Sequence, residues 1–245
     1  MPRGFRKLSK RALPELDNPW EDSQVPEKLH NRIEAGRRLA ERLADLKRNP
    51  DVVVLALPRG GVPIACAIAT ALQLPLDVFL VRKLGVPGYE ELALGALAAG
   101  GVELVDPDMV EEFGLSAQDV KMVVDRETAE LQRREAIFRG TRTALDLHGR
   151  TAVLVDDGIA TGSTMRAAIE GVKKAGAARV IVAAGVAPLS TALMLRQETD
   201  DTVCLLMPRE LVAVGAFYEE FPQLDDDDVL ALLANAWRHG ANVAA

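Results

Sequence analysis

Aromatic side chains are scarce in this 245-residue chain: two Trp, two Tyr and six Phe amount to 4% of it. Ala, Val and Leu must therefore fill any core. Cysteine is rarer still. Cys66 and Cys204 lie far apart, each inside an apolar run, which excludes a disulfide framework and a zinc site and reads as two core thiols. His30, His148 and His239 show no partner spacing and form no metal motif. No apolar run approaches the ~20 residues that span a bilayer. The basic first ten residues lack the apolar stretch of a secretory signal, so the expected location is cytoplasmic, with no membrane partner. Positive charge is not in excess: 29 Lys and Arg face 36 Asp and Glu, for a net charge of -7. That balance argues against gripping nucleic acid or anionic membranes, and says nothing of a local pocket.

What is present is a globular composition, 49% hydrophobic and 27% charged, long enough for one to two domains. Residues 1–27 mix four prolines with charges and read as an irregular arm; residues 28–245 read as one domain. Leu29, Ile33, Leu39, Leu43 and Leu46 recur at helical spacing over 28–47. Residues 52–57 form an unbroken apolar run, as in a strand buried on both faces. A helix over 63–72 and a strand over 77–81 follow. The alternation resumes with strands at 151–155, 180–186 and 202–207 and helices at 163–175 and 189–198. The predicted fold class is α/β, a doubly wound, mostly parallel sheet flanked by helices. Between the halves, 92–105 reads as a hairpin turning at Gly100-Gly101, and 116–139 as a long charged helix. Asp225 to Asp228 open a last helix, where negative charge at the N-terminus is favourable, and are expected to cap it away from the functional site.

The chemistry concentrates in Val153-Leu154-Val155-Asp156-Asp157-Gly158-Ile159-Ala160-Thr161-Gly162-Ser163-Thr164. A hydrophobic strand delivers two acids at its carboxyl end, and a small-residue loop then runs into a helix. Ligands of open α/β sheets bind at such edges. The loop amides, the helix N-terminus and the hydroxyls of Thr161, Ser163 and Thr164 suit a phosphate. Asp156 and Asp157 suit sugar hydroxyls. A phosphate site touching a diol site describes a ribose 5-phosphate. The P-loop is excluded because no Lys precedes Ser163, and Pro58-Arg59-Gly60-Gly61 is not a dinucleotide fingerprint. A plain solvent-exposed turn would not gather two acids and three hydroxyls.

This segment resembles the phosphoribosyl-diphosphate (PRPP) signature of type I phosphoribosyltransferases. Leu57-Pro58-Arg59-Gly60-Gly61 resembles the family's pyrophosphate loop, and Val81-Arg82-Lys83 its basic segment. Residues 81–85 and 213–218 together are similar to a bacterial subgroup of unassigned acceptor. The resemblance implies a flap over about 84–107, containing Tyr89, Glu90 and Glu91, and a hood over about 208–240 that recognises the base. It implies that Asp156 and Asp157 bind the ribose hydroxyls. Ala160, Thr161, Gly162, Ser163 and Thr164 would hold the 5-phosphate, and Arg59, Gly60, Gly61 and Lys83 would meet the pyrophosphate. It further implies a non-proline cis peptide in the pyrophosphate loop and Mg²⁺ bridging ligand oxygens, with Asp156 and Asp157 the carboxylates at hand. A homodimer is the common family assembly.

The acceptor is implied to be a nucleobase or related heteroaromatic, with Phe217 or Tyr218 stacking on it. Ala160 stands where 6-oxopurine enzymes carry an acid, which brings the loop closer to adenine enzymes of purine salvage. The flap lacks the acid of the adenine enzymes unless Glu90 or Glu91 replaces it, and 214–221 is closer to the 6-oxopurine pattern. The two indications point to different acceptors. The expected activity is PRPP-dependent transfer of the phosphoribosyl group. The alternatives are a non-catalytic PRPP-binding regulatory protein and a hydrolase of phosphoribosyl compounds.

Overall fold

The computed structural model describes residues 28–240; the arm 1–27 lies outside the described residues. Five parallel strands form the central sheet: β1 (Val52–Ala56), β2 (Leu76–Val78), β6 (Thr151–Gly158), β7 (Arg179–Val186) and β8 (Asp201–Leu206), in the order β2-β1-β6-β7-β8. All five residues of β1 are buried, as an all-apolar run covered on both faces requires. Successive side chains point to opposite faces. Val52 and Val54 join Leu39 of α1 (Arg32–Arg42), Ile64 and Ile68 of α2 (Gly61–Leu72) and Val229 and Leu233 of α7 (Asp226–Gly240). Val53 and Leu55 join Met165 and Ile169 of α5 (Ser163–Lys174) and Leu195 of α6 (Leu189–Glu198). The chain leaves β1 through α2 toward β2 on one side, and leaves β6 through α5 toward β7 on the other. The winding therefore reverses between β1 and β6, and a crevice opens beyond their carboxyl ends.

A second sheet is antiparallel: β3 (Val81–Val86), β4 (Tyr89–Ala98) and β5 (Val102–Val105), followed by α3 (Pro107–Glu112) and α4 (Ala117–Arg139). Two expectations are corrected here. The strand predicted over 77–81 is two strands of different sheets. Phe79 N still donates to Ala56 O (2.9 Å), whereas Leu80 O accepts from Ala99 N (2.8 Å), so the chain changes sheets between them. The hairpin predicted from 92 begins earlier, because Val86 pairs with Tyr89 across a two-residue turn whose Gly88 has φ +80°. The predicted turn at Gly100-Gly101 joins β4 to β5. The expected flap is thus regular β structure, with Leu84, Val86, Leu94 and Leu97 packed on Val123 of α4.

Helix α4 is closed at its start by a capping box between Ser116 and Asp119. Burial pushes the thiols of Cys66 and Cys204 up to about 12, so both are inert core groups. Ile33, expected on the inner face of α1, is 47% exposed. Among the described residues no helix is long and apolar enough to cross a membrane.

Candidate active site

The loops leaving β1 and β6 meet at the crevice. Leu57 N donates to Val155 O at 2.9 Å, which carries the ladder one residue past β1. The Pro58–Arg59 peptide is cis. Only glycine fits next. A Cβ on Gly60 would lie 2.0 Å from Asp157 Oδ2, and one on Gly61 would lie 2.3 Å from Val155 O. The expected pyrophosphate loop therefore rests directly on the acids of β6. The Arg59 side chain is half-exposed, its Nη1 3.7 Å from Asp226 Oδ1. This corrects the placing of Asp225 to Asp228 away from the site: α7 does start with these acids, Asp225 O accepts from Val229 N, and Asp226 faces the loop that carries Arg59.

Consecutive strand residues cannot share one face, and the two acids differ accordingly. Asp157 is buried, and its Oδ2 accepts from Arg32 Nε of α1 at 2.8 Å. Its backbone carbonyl accepts from Tyr218 Oη at 2.7 Å. Asp156 is half-buried, and its Oδ1 accepts from Asp157 N at 2.8 Å. Burial, then the negative charge of Asp157, holds the Asp156 carboxyl well above the ordinary carboxylate range.

Beyond Gly158 the chain turns into α5. Ile159 N is fixed on Val186 O at 2.8 Å, and Ala160 O accepts from Thr191 Oγ1 of α6 at 2.9 Å. Gly162 takes φ +86°, and its missing side chain leaves room for Met194, whose Cε would lie 2.8 Å from a Cβ there. Ala160, Thr161, Ser163 and Thr164 are exposed, and the Thr161 and Ser163 hydroxyls lie 3.1 Å apart. Together the first amides of α5 and these hydroxyls make a cluster of donors chemically suited to an anion. It adjoins Asp156 and Asp157, so one continuous edge offers donors at one end and carboxylates at the other.

The remaining candidates lie around this edge. Lys83 is exposed near the start of β3, at the end nearest the carboxyl edge of the parallel sheet. Its neighbour Arg82 points to the other face, where Nη2 donates to Glu127 of α4 at 2.6 Å. Tyr89 and Glu90 are exposed at the hairpin turn, and the Tyr89 ring lies 5.7 Å from Phe113. The side chains of Glu91 and His239 lie outside the described residues. The segment over Val214–Phe217 covers Gly158, where a Cβ would meet Val214 Cγ1 at 2.4 Å. Phe217 is half-buried. Tyr218 is buried with its ring 4.9 Å from Phe221, so in this conformation it supports Asp157 rather than offering a face to a ligand.

A family model for the phosphoribosyl transferase domain matches residues 27–215. The chain belongs to the type I phosphoribosyltransferase family. A Mycobacterium tuberculosis protein provisionally named a phosphoribosyl transferase is 45% identical over 215 residues, which cover 88% of this chain and 48% of that protein. The chain spans about half the length of the curated relatives it matches. The crystal structure of TT1426 from Thermus thermophilus superimposes with a TM-score of 0.73 at 40% identity, covering 85% of this chain and 98% of that one. The bifunctional protein PyrR of Brevibacillus brevis is 26% identical over 99 residues, 38% of this chain and 55% of PyrR. In this phosphoribosyltransferase domain the matched span holds both loops and Arg32, and ends before Tyr218, Phe221 and α7. Arg32 and Thr191 escaped the sequence reading. Arg32 did leave a signal, since it falls in the stripe of Leu29, Ala35, Gly36, Leu39 and Leu43, a charge where the helix is otherwise apolar.

Proposed function

We propose that this domain is a Mg²⁺-dependent phosphoribosyltransferase that moves the 5-phosphoribosyl group from PRPP to a nucleobase or related nitrogen heterocycle, releasing pyrophosphate. The observation that carries the reading is the contact of Gly60 with the Asp157 carboxylate, because it sets a diol site against a second loop while the α5 phosphate site adjoins it. The amides of residues 160–164 and the hydroxyls of Thr161, Ser163 and Thr164 receive the 5-phosphate. Asp156 and Asp157 accept hydrogen bonds from the ribose hydroxyls. The amides of Gly60 and Gly61, with Arg59 and Lys83, face the pyrophosphate. Arg59 exchanges its half-exposed contact with Asp226 for the more highly charged ligand.

Cleavage at the anomeric carbon creates an oxocarbenium-like centre and a departing polyanion. Preorganised donors that stabilise the leaving group are the largest contribution such a site makes. The β3–β4 hairpin closes over the ligand and excludes water, which would otherwise capture the cation. Phe217 is the hood ring available to stack on a flat acceptor.

The residues fit Mg²⁺ in one way only. Among the described residues no three His, Cys, Asp or Glu side chains gather as a metal cage. Two carboxylates suit an octahedral ion whose other positions go to ligand oxygens and water. Such an ion, when bound, supplies positive charge beside the pyrophosphate.

The test is PRPP-dependent pyrophosphate release across a panel of heteroaromatic bases. Release that requires one base supports transfer. Release without a base indicates hydrolysis, and PRPP binding with no release for any base indicates a regulatory protein.

A further inference from the structure

Arg32 is a guanidinium from outside the three PRPP-like segments, and it is only 8% exposed. A charge buried to this degree needs partners, and Arg32 has three. Nε donates to Asp157 Oδ2 at 2.8 Å, Nη1 donates to Pro222 O at 2.8 Å, and Cζ lies 3.7 Å from the centre of the Phe221 ring. Phe221 packs on Tyr218, which returns to the same acid through its hydroxyl on Asp157 O. Asp157 is thus held at its carboxylate by α1 and at its carbonyl by the hood, and Arg32 joins the two supports.

We propose that Arg32 is a positioning residue for sugar recognition: it fixes the plane of the Asp157 carboxylate and ties that carboxylate to the hood. The proposal rests on the phosphoribosyl reading above. Two adjacent carboxylates repel, and the cation that offsets Asp157 belongs to the protein itself. A planar guanidinium stacked on a ring and bonded through two nitrogens sets orientation as well as charge. A lysine ammonium carries the charge without the plane. The sugar subsite is therefore organised by a residue of α1, and the hood is connected to it whichever acceptor the hood receives.

The experiment is calorimetric titration of wild type, Arg32→Lys and Phe221→Leu with inorganic phosphate and with ribose 5-phosphate, each in the presence of Mg²⁺. Phosphate reports the anion-binding loops without the sugar, so the ratio of the two affinities reports the sugar. Wild type is expected to prefer ribose 5-phosphate by about tenfold or more, which is about 1.4 kcal/mol. In Arg32→Lys the ratio falls toward one while phosphate affinity stays within about twofold. Phe221→Leu, which keeps the charge and removes the ring, lowers the ratio by a smaller factor; it decides the question alone if Arg32→Lys does not fold. A ratio unchanged in these variants, or parallel weakening of both ligands, overturns the proposal and leaves Arg32 a structural ion pair. A wild-type ratio of one overturns the phosphoribosyl reading and the proposal with it.

Discussion

The two sheets of this molecule treat the site differently. The parallel sheet presents it from backbone and small residues: glycines that admit no Cβ, loop amides, and an acid held on two sides. The antiparallel sheet has its own core under α3 and α4, and carries Lys83, Tyr89 and Glu90 on exposed positions. The candidate donors and acids sit where backbone atoms pack against one another. The β3–β4 hairpin packs on α4 through Leu84 and Leu94, while Ala98 and Val102 of the same sheet join the core of the parallel sheet. Ligand affinity should then depend on the first sheet and turnover on both.

The largest effect that would sharpen this contrast is at the parallel edge. Asp157→Asn leaves Arg32 buried without its counter-charge, a change of about 3–5 kcal/mol, and should abolish PRPP-dependent pyrophosphate release. A melting curve and an end-point assay check both, and full turnover in this variant would sink the assigned role. Next comes the hairpin. Leu94 is fully buried there, and Leu94→Ala should cost about 2–5 kcal/mol. Hydrogen exchange should locate that loss in β3 and β4, with β1 and β6 still protected. Turnover should fall about tenfold while PRPP affinity stays within about twofold. Equal losses in both sheets would erase the distinction.

A smaller effect has the opposite sign. The Asp156 carboxyl is raised above its ordinary 3.8 by burial and by Asp157. A raised acid contributes stability that is complete below the unfolded value and lost as pH rises through the folded one. At neutral pH the ligand-free protein bears that penalty. Asp156→Asn should therefore raise Tm by about 2–4 °C, as ~1 kcal/mol does for a chain of this size, while weakening PRPP binding. A lower Tm would show that Asp156 is not strained.

The smallest effect concerns the clip between residues 29–30 and the hood, where Leu29 N donates to Phe217 O at 2.9 Å. The exposed His30 bonds Glu219 at 2.8 Å, and that bond, aided by the charge of Glu220, raises the imidazole above 6.5. Its contribution is present below 6.5 and fades as pH rises through the raised value. The Tm difference between wild type and His30→Ala should be larger near pH 5.5 than near pH 8.5, and a difference independent of pH would remove His30 from the clip.

The same division explains what the sequence made legible. The runs 52–57 and 151–155 declare buried parallel strands because neighbours cover both faces. The loop at 156–164 is legible because its acids, hydroxyls and helix start are contiguous in the chain. The antiparallel sheet was half legible: Gly100-Gly101 marked one turn, but Val81, the first residue of that sheet, read as the tail of an earlier strand, since Phe79 and Leu80 are apolar and the change of sheet between them has no local sign. Arg32 and Asp226 were missed for a related reason. Their partners are 125 residues away in Asp157 and in Arg59 across the fold, and charge patterns along one helix do not reveal such pairs. Tyr218 was expected, with Phe217, to stack on the acceptor; only the fold places its hydroxyl on Asp157.

The measurement that bears most directly on the central claim is calorimetric titration of PRPP with Mg²⁺ into the wild-type protein, set against Gly60→Ala. If the loops of β1 and β6 form one site, wild type binds about one PRPP per chain. Gly60→Ala, whose new Cβ would fall 2.0 Å from Asp157 Oδ2, should weaken that binding about 100-fold. No binding to wild type, or equal binding to both proteins, would contradict a shared PRPP site.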